Sequence, residues 1–480
     1  MHLVDLTDLG TLVGDDLVIA GVTHDSRRCQ AGDLFVAVSG AHFDGSQFIV
    51  AAVRSGAAAV VTERAQPQLT VPQLIVPDAR AVLPEIARRV YQDPSRQLEL
   101  IGVTGTNGKS TVAFLVAELL KLIGHPCGLI GTVWVDTGHR RLKEERTTPE
   151  ASDVCRYLHE MVRNQLDWAA MEVSSHALAL GRVSGLRYRA AIFTNLTRDH
   201  LDYHRTMEAY GDAKAKLFES LEAAGLAILN ADDPAHEKMG RRTKGTVVTY
   251  GVSSGAADFR ASHVSLAEQG SRFELTGPSL RLAVESPLIG RFNVANLLAS
   301  LTVLISLGFD PEQLVGVVPQ LTAVPGRFER VPGTQPFAVV VDYAHTPDGL
   351  EKALAAAREV TRGRVIVVVG CGGDRDAGKR PVMGEMATRQ SDLAVLTSDN
   401  PRTEDPLGIL AEMESGARRG HGPFRVIPDR RQAIAYALGA ARAGDIVLIA
   451  GKGHEAVQVI GDQEMPFDDR LVASELLARP

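Results

Sequence analysis

Leu98-Glu99-Leu100-Ile101-Gly102-Val103, Thr104-Gly105-Thr106-Asn107-Gly108-Lys109-Ser110-Thr111 and Val112-Ala113-Phe114-Leu115-Val116-Ala117-Glu118-Leu119-Leu120-Lys121-Leu122-Ile123 are consecutive, and their reading decides the fold. The apolar run 98–103 predicts a buried strand. Residues 110–123 have a helical period and are stopped by Gly124 and Pro126. The glycine-bearing turn between them points several backbone N–H groups at one spot, with the positive end of a helix dipole behind them. That arrangement suits phosphate. Lys109 supplies a mobile cation for β- and γ-phosphate oxygens, and the hydroxyl of Ser110 or Thr111 can ligate Mg²⁺. The standard spacing GxxxxGK[ST] asks for Gly at 103, where Val stands, so the loop is a variant. The alternative is a tight strand-to-helix turn that merely carries Gly-Lys-Ser; the strand before it and the helix after it favour phosphate.

Outward from this stretch, short Val/Ile/Leu runs alternate with longer Ala-rich helical stretches, the pattern of an α/β fold with mostly parallel sheets. Further strands are predicted at 337–341, 365–369, 393–396 and 446–450. Polar, Pro-bearing residues 92–98 and the Pro/Gly-rich segment 325–336 read as linkers. They give three domains, 1–97, 98–328 and 329–480, in keeping with a length of 480 residues. Hydrophobic residues make up 45% and charged residues 23%, an ordinary globular balance. The net charge of −7 is a poor basis for non-specific binding to nucleic acid or anionic membrane. No apolar run approaches the roughly 18–20 residues of a membrane helix. Cys29, Cys127, Cys155 and Cys371 lie far apart with no CxxC or Cys/His spacing, which argues against a zinc site or disulfides. The start, Met1-His2-Leu3-Val4-Asp5, lacks a basic n-region, and a cytoplasmic protein is expected.

Four further clusters carry chemistry. Glu172 ends an apolar run and could hold a metal, or be a solvated loop acid. Asn195-Leu196-Thr197-Arg198-Asp199-His200-Leu201-Asp202-Tyr203-His204 packs two Asp and two His, good divalent-metal ligands, just after a strand end. Residues 209–218 read as a plain amphipathic helix with Lys214 and Lys216 on it. Ser398-Asp399-Asn400-Pro401-Arg402 reads on its own as a turn after a strand. Gly370-Cys371-Gly372-Gly373 faintly suggests a dinucleotide fingerprint, but Arg375 stands where the third Gly belongs, so no nicotinamide cofactor is expected.

Taken together, these segments resemble the Mur ligases, ATP-dependent amide ligases of peptidoglycan precursor synthesis. The resemblance extends through Gly290-Arg291-Phe292-Asn293-Val294-Ala295-Asn296, Pro325-Gly326-Arg327-Phe328-Glu329 and Asp342-Tyr343-Ala344-His345-Thr346-Pro347-Asp348, and covers nearly the whole chain. It implies an N-terminal α/β domain for a UDP-linked substrate, a central P-loop ATPase and a C-terminal Rossmann-like domain for an incoming amino acid. The motifs are most similar to those of members that extend UDP-N-acetylmuramoyl-L-alanyl-D-glutamate. Asp-Asn-Pro-Arg at 399–402 marks those that add meso-diaminopimelate rather than lysine. The resemblance places ATP on Gly105, Thr106, Asn107, Gly108, Lys109, Ser110, Thr111, Asn293, Asn296, Arg327 and Asp342. It places a first Mg²⁺ on Ser110 or Thr111 and a second on Glu172 and His200, and makes Lys214, by its spacing from Tyr210, a lysine N-carboxylated by CO₂. The UDP substrate falls on His24, Ser26, Thr147, Thr148, Ser174 and Arg182. Diaminopimelate falls on Arg375, Asp399, Asn400, Pro401, Arg402, Gly451 and Glu455. Lys109, Glu172, His200 and Lys214 are the expected catalytic set. Leu180 replaces a Gln of some relatives, which removes one hydrogen bond to the nucleotide sugar. A monomer with no nucleic-acid or membrane partner is expected.

The chemistry agrees with that assignment. Diaminopimelate is lysine with an extra carboxylate on its far carbon, and a guanidinium binds a carboxylate bidentately. Lysine would leave Arg402 unpaired and bring a second cation near it. The lysine-adding siblings lack that Arg, folylpolyglutamate synthetases lack the N-terminal domain with its Asp25-Ser26-Arg27, and a non-catalytic nucleotide-binding module would not need all four catalytic residues.

Overall fold

The computed structural model describes residues 1–40, 44–144 and 146–478. Its contacts divide the chain into two compact units, Met1–Phe259 with Ala299–Leu314, and Arg260–Leu298 with Val315–Pro480. Both are α/β with mostly parallel sheets, as the alternation of apolar and helical segments predicts.

In the first unit the strand Glu99–Thr104 lies at the centre of a parallel sheet, between Trp168–Glu172 and Ala190–Phe193. Leu226–Asn230 and Thr246–Gly251 extend it on one side, and Cys127–Ile130 on the other. Val135–Asp136 and Arg141–Leu142 finish that edge antiparallel. The inner strands read as unbroken apolar runs because both faces are covered; all four residues of Ala190–Phe193 are fully buried. The helix Lys109–Leu122 is apolar almost all round, from Thr111 to Leu120, because it is packed on nearly every side. The expected strand and helix therefore stand within one residue of their predicted bounds. From Trp168–Glu172 the chain crosses over the central strand to reach Ala190–Phe193. The carboxyl ends Thr104, Glu172 and Phe193 thus lie side by side where the strand order reverses, the place where open α/β sheets bind ligands.

A smaller sheet precedes it, ordered Thr11–Val13, Gln73–Ile75, Ala59–Thr62, Asp33–Val36, Gly21–Thr23, parallel except for its first strand. One core joins Leu34, Val61, Leu83 and Ile86 of this region to Leu100, Leu158 and Met161 of the next.

The second unit opens with three antiparallel strands, Phe259–Ala267, Gly270–Gly277 and Leu280–Ser286. Its main sheet runs Glu329–Arg330, Ala338–Asp342, Ile446–Ala450, Val365–Val369, Leu393–Leu396, Phe424–Val426, antiparallel only at the first pair. Successive strand residues feed two cores, Val340 and Val367 on one face, Val339, Val341, Ile366 and Val368 on the other. Thr346, Asp405 and Asp429 cap the helices Pro347–Val360, Pro406–Gly420 and Arg430–Ala440 with their side chains.

One ion pair fixes the carboxyl ends of two of these strands. Arg430 and Asp469 are both fully buried and bidentate, at 2.7 Å (Nε to Oδ1) and 2.6 Å (Nη2 to Oδ2). The same guanidinium donates to the carbonyls of Ala450 at 3.1 Å and Ser398 at 3.4 Å. Removing one partner leaves a charge buried alone, which costs about 3–5 kcal/mol. Asp469→Ala should lower unfolding free energy by that amount in urea titrations, whereas joint replacement of Arg430 and Asp469 by apolar residues should cost much less.

Candidate active site

The phosphate loop is held by glycine geometry and by the neighbouring strand end. Gly105 has φ 153° and Gly108 φ 84°. A Cβ on Gly105 would lie 1.8 Å from Thr194 Oγ1, so no other residue fits there. Thr194 Oγ1 donates to the Asn107 carbonyl at 2.6 Å, and Asn195 Oδ1 accepts from the Asn107 N–H at 3.0 Å. Thr106 Oγ1 accepts from the Thr197 N–H at 3.0 Å. Lys109 Nζ reaches back to the carbonyls of Gly105 (2.9 Å) and Thr106 (2.8 Å).

Lys214 donates to the same Gly105 carbonyl at 2.7 Å. Its side chain is buried, while Lys216, two residues on, is exposed. Burial, reinforced by the charge of Lys109, holds the Lys214 amine well below the usual lysine range. Its nitrogen lies 4.4 Å over the Tyr210 ring, and the Tyr210 hydroxyl shares a hydrogen bond with Thr106 Oγ1 at 3.2 Å. His200 adopts φ 53° ahead of the short helix Leu201–His204. Its ring packs 4.8 Å from His176 and 6.0 Å from Tyr210, and burial keeps it below the ordinary histidine value.

Glu172 is a buried junction. Its carboxylate accepts from Ser110 Oγ at 2.8 Å, from the Thr132 N–H at 2.7 Å and from Thr132 Oγ1 at 3.2 Å. With that proton given to Glu172, Thr132 Oγ1 accepts from Thr147 Oγ1 at 3.1 Å. Thr148 Oγ1 donates to the Glu172 carbonyl (2.8 Å) and accepts from the Ser174 N–H (3.0 Å). Arg182 donates to the Thr148 carbonyl at 3.1 Å and pairs with Glu150 at 3.0 Å. His24 meets Ser152 Oγ at 3.0 Å, two residues beyond Glu150; Ser26 is half-buried at the start of the turn Ser26–Arg28.

In the second unit, Asn293 and Asn296 are buried on one helix, Arg291–Ser306, and hydrogen-bonded to each other at 3.3 Å. The Arg327 guanidinium lies 4.8 Å over the Tyr343 ring. Asp342 Oδ2 accepts from the Phe328 N–H at 2.7 Å, and burial pushes this carboxyl up to about 6 against the pull of Arg327. Gly326 allows a close approach: a Cβ there would lie 2.1 Å from the backbone of Gly453 and His454.

The loop after Leu393–Leu396 meets the loops after Val365–Val369 and Ile446–Ala450. Gly373 N–H donates to the Asn400 carbonyl at 2.9 Å, and Arg402 Nη1 donates to the Gly373 carbonyl at 2.7 Å. A Cβ on Gly372 would stand 2.9 Å from Arg402 Nη1 and 4.0 Å from Arg375 Cγ, so both arginines flank that glycine. Asn400 Nδ2 donates to Glu455 Oε2 at 2.8 Å. A Cβ on Gly451 would lie 3.2 Å from the Asp399 carboxylate.

Three family models match the chain: Mur ligase middle domain over residues 103–304, Mur ligase, glutamate ligase domain over 326–453, and Mur ligase family, catalytic domain over 18–91. The chain is 45% identical over 461 residues to a UDP-N-acetylmuramoyl-L-alanyl-D-glutamate–2,6-diaminopimelate ligase of Geobacillus thermodenitrificans, covering 95% of this chain and 94% of that protein. It is 46% identical to the like-named protein of Gloeobacter violaceus, covering 100% and 98%. The chain belongs to the Mur ligase family. A solved structure of a protein of the same name superposes with TM-score 0.69 at 37% identity, over 96% of this chain and 94% of that one.

In this Mur ligase the expected residues gather in linked groups. Lys109 and Lys214 share one carbonyl; Ser110, Thr147, Thr148, Ser174 and Arg182 connect through Glu172; Asp399, Asn400, Arg402, Gly451 and Glu455 adjoin one another. Arg375 is exposed, and its guanidinium is hydrogen-bonded to the carbonyl of Asp374. The hydroxyl of Ser110 and the carboxylate of Glu172 are adjacent hard oxygen donors, a set that fits magnesium. Among the described residues no three His, Cys, Asp or Glu side chains converge. No helix among the described residues is long and apolar enough to cross a membrane. Sequence reasoning missed Thr132, Thr194 and Lys452: Thr132 reaches Glu172 only through the fold, whereas Thr194 and Lys452 stand beside Asn195 and Gly451 in the chain.

Between pH 3.8 and about 6, folded Asp342 holds a proton that the unfolded chain has released. The stability this provides is complete below pH 3.8 and is lost as pH rises through about 6. Stability-versus-pH curves of Asp342→Asn should therefore lack that decline, with the two proteins diverging between pH 4 and 6.

Proposed function

We propose that this chain is an ATP-dependent amide ligase that adds meso-diaminopimelate to the D-glutamate γ-carboxylate of UDP-N-acetylmuramoyl-L-alanyl-D-glutamate. One observation carries the reading: the Asp399, Asn400, Arg402 and Glu455 cluster occurs in a chain about 45% identical, along 95% of its length, to proteins named for that reaction. The proposed division is a UDP-substrate domain at 1–97, an ATP domain at 98–328 and an amino-acid domain at 329–480, supported by family-model matches of similar extent.

A carboxylate does not condense with an amine in neutral water because its oxygen is a poor leaving group. In the proposed reaction the γ-carboxylate attacks the γ-phosphorus of ATP, the bond to the β-phosphate oxygen breaks, and an acyl phosphate and ADP result. The diaminopimelate amine then attacks the acyl carbon, loses a proton, and phosphate departs from the tetrahedral intermediate. Carboxylate and triphosphate repel, so fixed cations must offset that repulsion before transfer. Lys109 exchanges its two carbonyl partners for β- and γ-phosphate oxygens, and Gly105, Thr106, Asn107, Gly108, Ser110 and Thr111 form the loop around the same anion, with the Thr106 and Asn107 N–H groups held by Asn195. Magnesium, which Ser110, Glu172 and His200 would hold, supplies further charge neutralisation. Lys214, favoured as a free amine, is suited to attack CO₂ and become a carbamate. Asn293, Asn296, Arg327 and Asp342 serve the nucleotide. His24, Ser26, Thr147, Thr148, Ser174 and Arg182 serve the UDP substrate. Arg402 and Arg375 take the far carboxylate of diaminopimelate; Asp399, Asn400, Pro401, Gly451 and Glu455 take the rest. The enzyme works as a cytoplasmic monomer on this reading.

Purified protein should release phosphate from ATP only with the UDP substrate present, faster on addition of meso-diaminopimelate and not of lysine. Incorporation of lysine, seen as product mass, would sink the substrate assignment. Arg402→Ala should lose selectivity, by about 2–4 kcal/mol for an unpaired carboxylate, with the KM for ATP unchanged. Lys214→Ala should be nearly inactive and partly rescued by small added carboxylates; absence of rescue at any concentration would count against a carbamate.

A further inference from the structure

Lys452 has no part in the mechanism above, yet it is a charge enclosed within the amino-acid cluster. Its side chain is fully buried. Nζ donates to Asn400 Oδ1 at 3.0 Å and to the Val457 carbonyl at 2.6 Å, and lies 3.4 Å from Glu455 Oε2 and 3.6 Å from Asp399 Oδ1. An ammonium has three protons to donate, and here four acceptors surround it.

Those four acceptors come from three parts of the cluster. Asp399 and Asn400 follow one strand, Glu455 follows another, and Val457 opens the hairpin Val457–Ile460 with Gln463–Pro466. The hairpin in turn grips Arg402: the Arg402 N–H donates to the Val459 carbonyl at 3.1 Å, and the Gly461 N–H donates to the Arg402 carbonyl at 2.7 Å. Asn400 Oδ1 also accepts from the Val459 N–H at 3.0 Å. With its oxygen fixed by Lys452 and Val459, the Asn400 amide can turn only its NH₂ group to Glu455. Asp399 and Glu455 contribute two negative charges and Lys452 one positive charge, leaving a single net negative charge to meet one ammonium.

We infer that Lys452 is a positioning residue for the incoming amino acid: it pre-orients Asp399, Asn400 and Glu455 as the ammonium-binding side of the site and, through Val457, seats the hairpin that holds Arg402. This deepens the proposed function and rests on the reading of 399–455 as the amino-acid site. Losing a charge that satisfies several acceptors leaves those acceptors mutually repelling and free to turn, so affinity falls before chemistry does.

The test uses the full-length enzyme with Lys452→Met, Lys452→Gln and Lys452→Arg, assayed with whichever amine the wild type incorporates. The neutral variants should raise the KM for that amine at least about tenfold, with the KM for ATP and for the UDP substrate unchanged. Lys452→Arg, which keeps the charge, should recover part of the loss. Thermal unfolding checks that the variants are folded at the assay temperature. A folded neutral variant with wild-type KM for the amine overturns the inference. So does a parallel rise in the KM for ATP, or failure of all three variants to fold, since either makes Lys452 a structural cross-link only. If the wild type takes an amine other than diaminopimelate, the proposed substrate falls while the Lys452 result is still read on the amine actually used.

Discussion

Two ammonium groups converge on one peptide carbonyl, and the anion-handling half of the molecule is arranged around that fact. The oxygen of Gly105 accepts from Lys109 and from Lys214. Two full charges on one acceptor repel, more strongly away from water. Burial resolves this by favouring the neutral form of Lys214 and leaving the half-buried Lys109 as the mobile cation. The carbonyl can face both only because residue 105 is at φ 153°, with Thr194 filling the space where a Cβ would stand. A single glycine conformation thus sets where the cation waits and where the amine is.

The same topological logic serves both units with different chemistry. Each has a parallel sheet whose strand ends supply short loops. In the first, Thr104, Glu172 and Phe193 end adjacent strands and lead into the phosphate loop, the Glu172 junction and the Thr194–Asn195 clamp. In the second, Asp342, Val369, Leu396 and Ala450 lead into the segments bearing Tyr343, Gly372, Arg402 and Lys452. The first set is rich in N–H donors and cations, as polyphosphate requires. The second mixes guanidinium, carboxylate and amide, as a zwitterion requires.

The central strand, the loop and its helix were legible because their signals are local: an apolar run, glycines, and a helical period with a stop. The strands at 365–369 and 446–450 were legible for the same reason. The three strands at 259–286 left no such mark, since their half-exposed alternation over polar residues is weak. Glu172 could not be told from a solvated acid by its neighbours in sequence; what distinguishes it is Thr132, forty residues away, donating twice to its carboxylate. Lys214 and Lys216 are equivalent by composition, and only the side of the helix that is packed separates the buried one from the exposed one. Composition carries no information of that kind; the resemblance, through the spacing from Tyr210, is what singled out Lys214.

The two buried lysines show how surroundings divide one side chain between two tasks. Lys214 faces a carbonyl, an aromatic ring and a second ammonium, with no carboxylate bonded to it. The pull of Asp199 is outweighed there by burial and by the charge of Lys109, so the neutral amine is favoured and keeps a lone pair. Lys452 faces two carboxylates, an amide oxygen and a carbonyl. All its protons are engaged, and it has no lone pair to offer while they are; it can only hold neighbours in place. Exposure is near zero for both, so burial alone predicts neither role. The number of anionic oxygens within reach decides between a reactive nitrogen and a cross-link, and that number is a property of tertiary structure rather than of the motif around either residue.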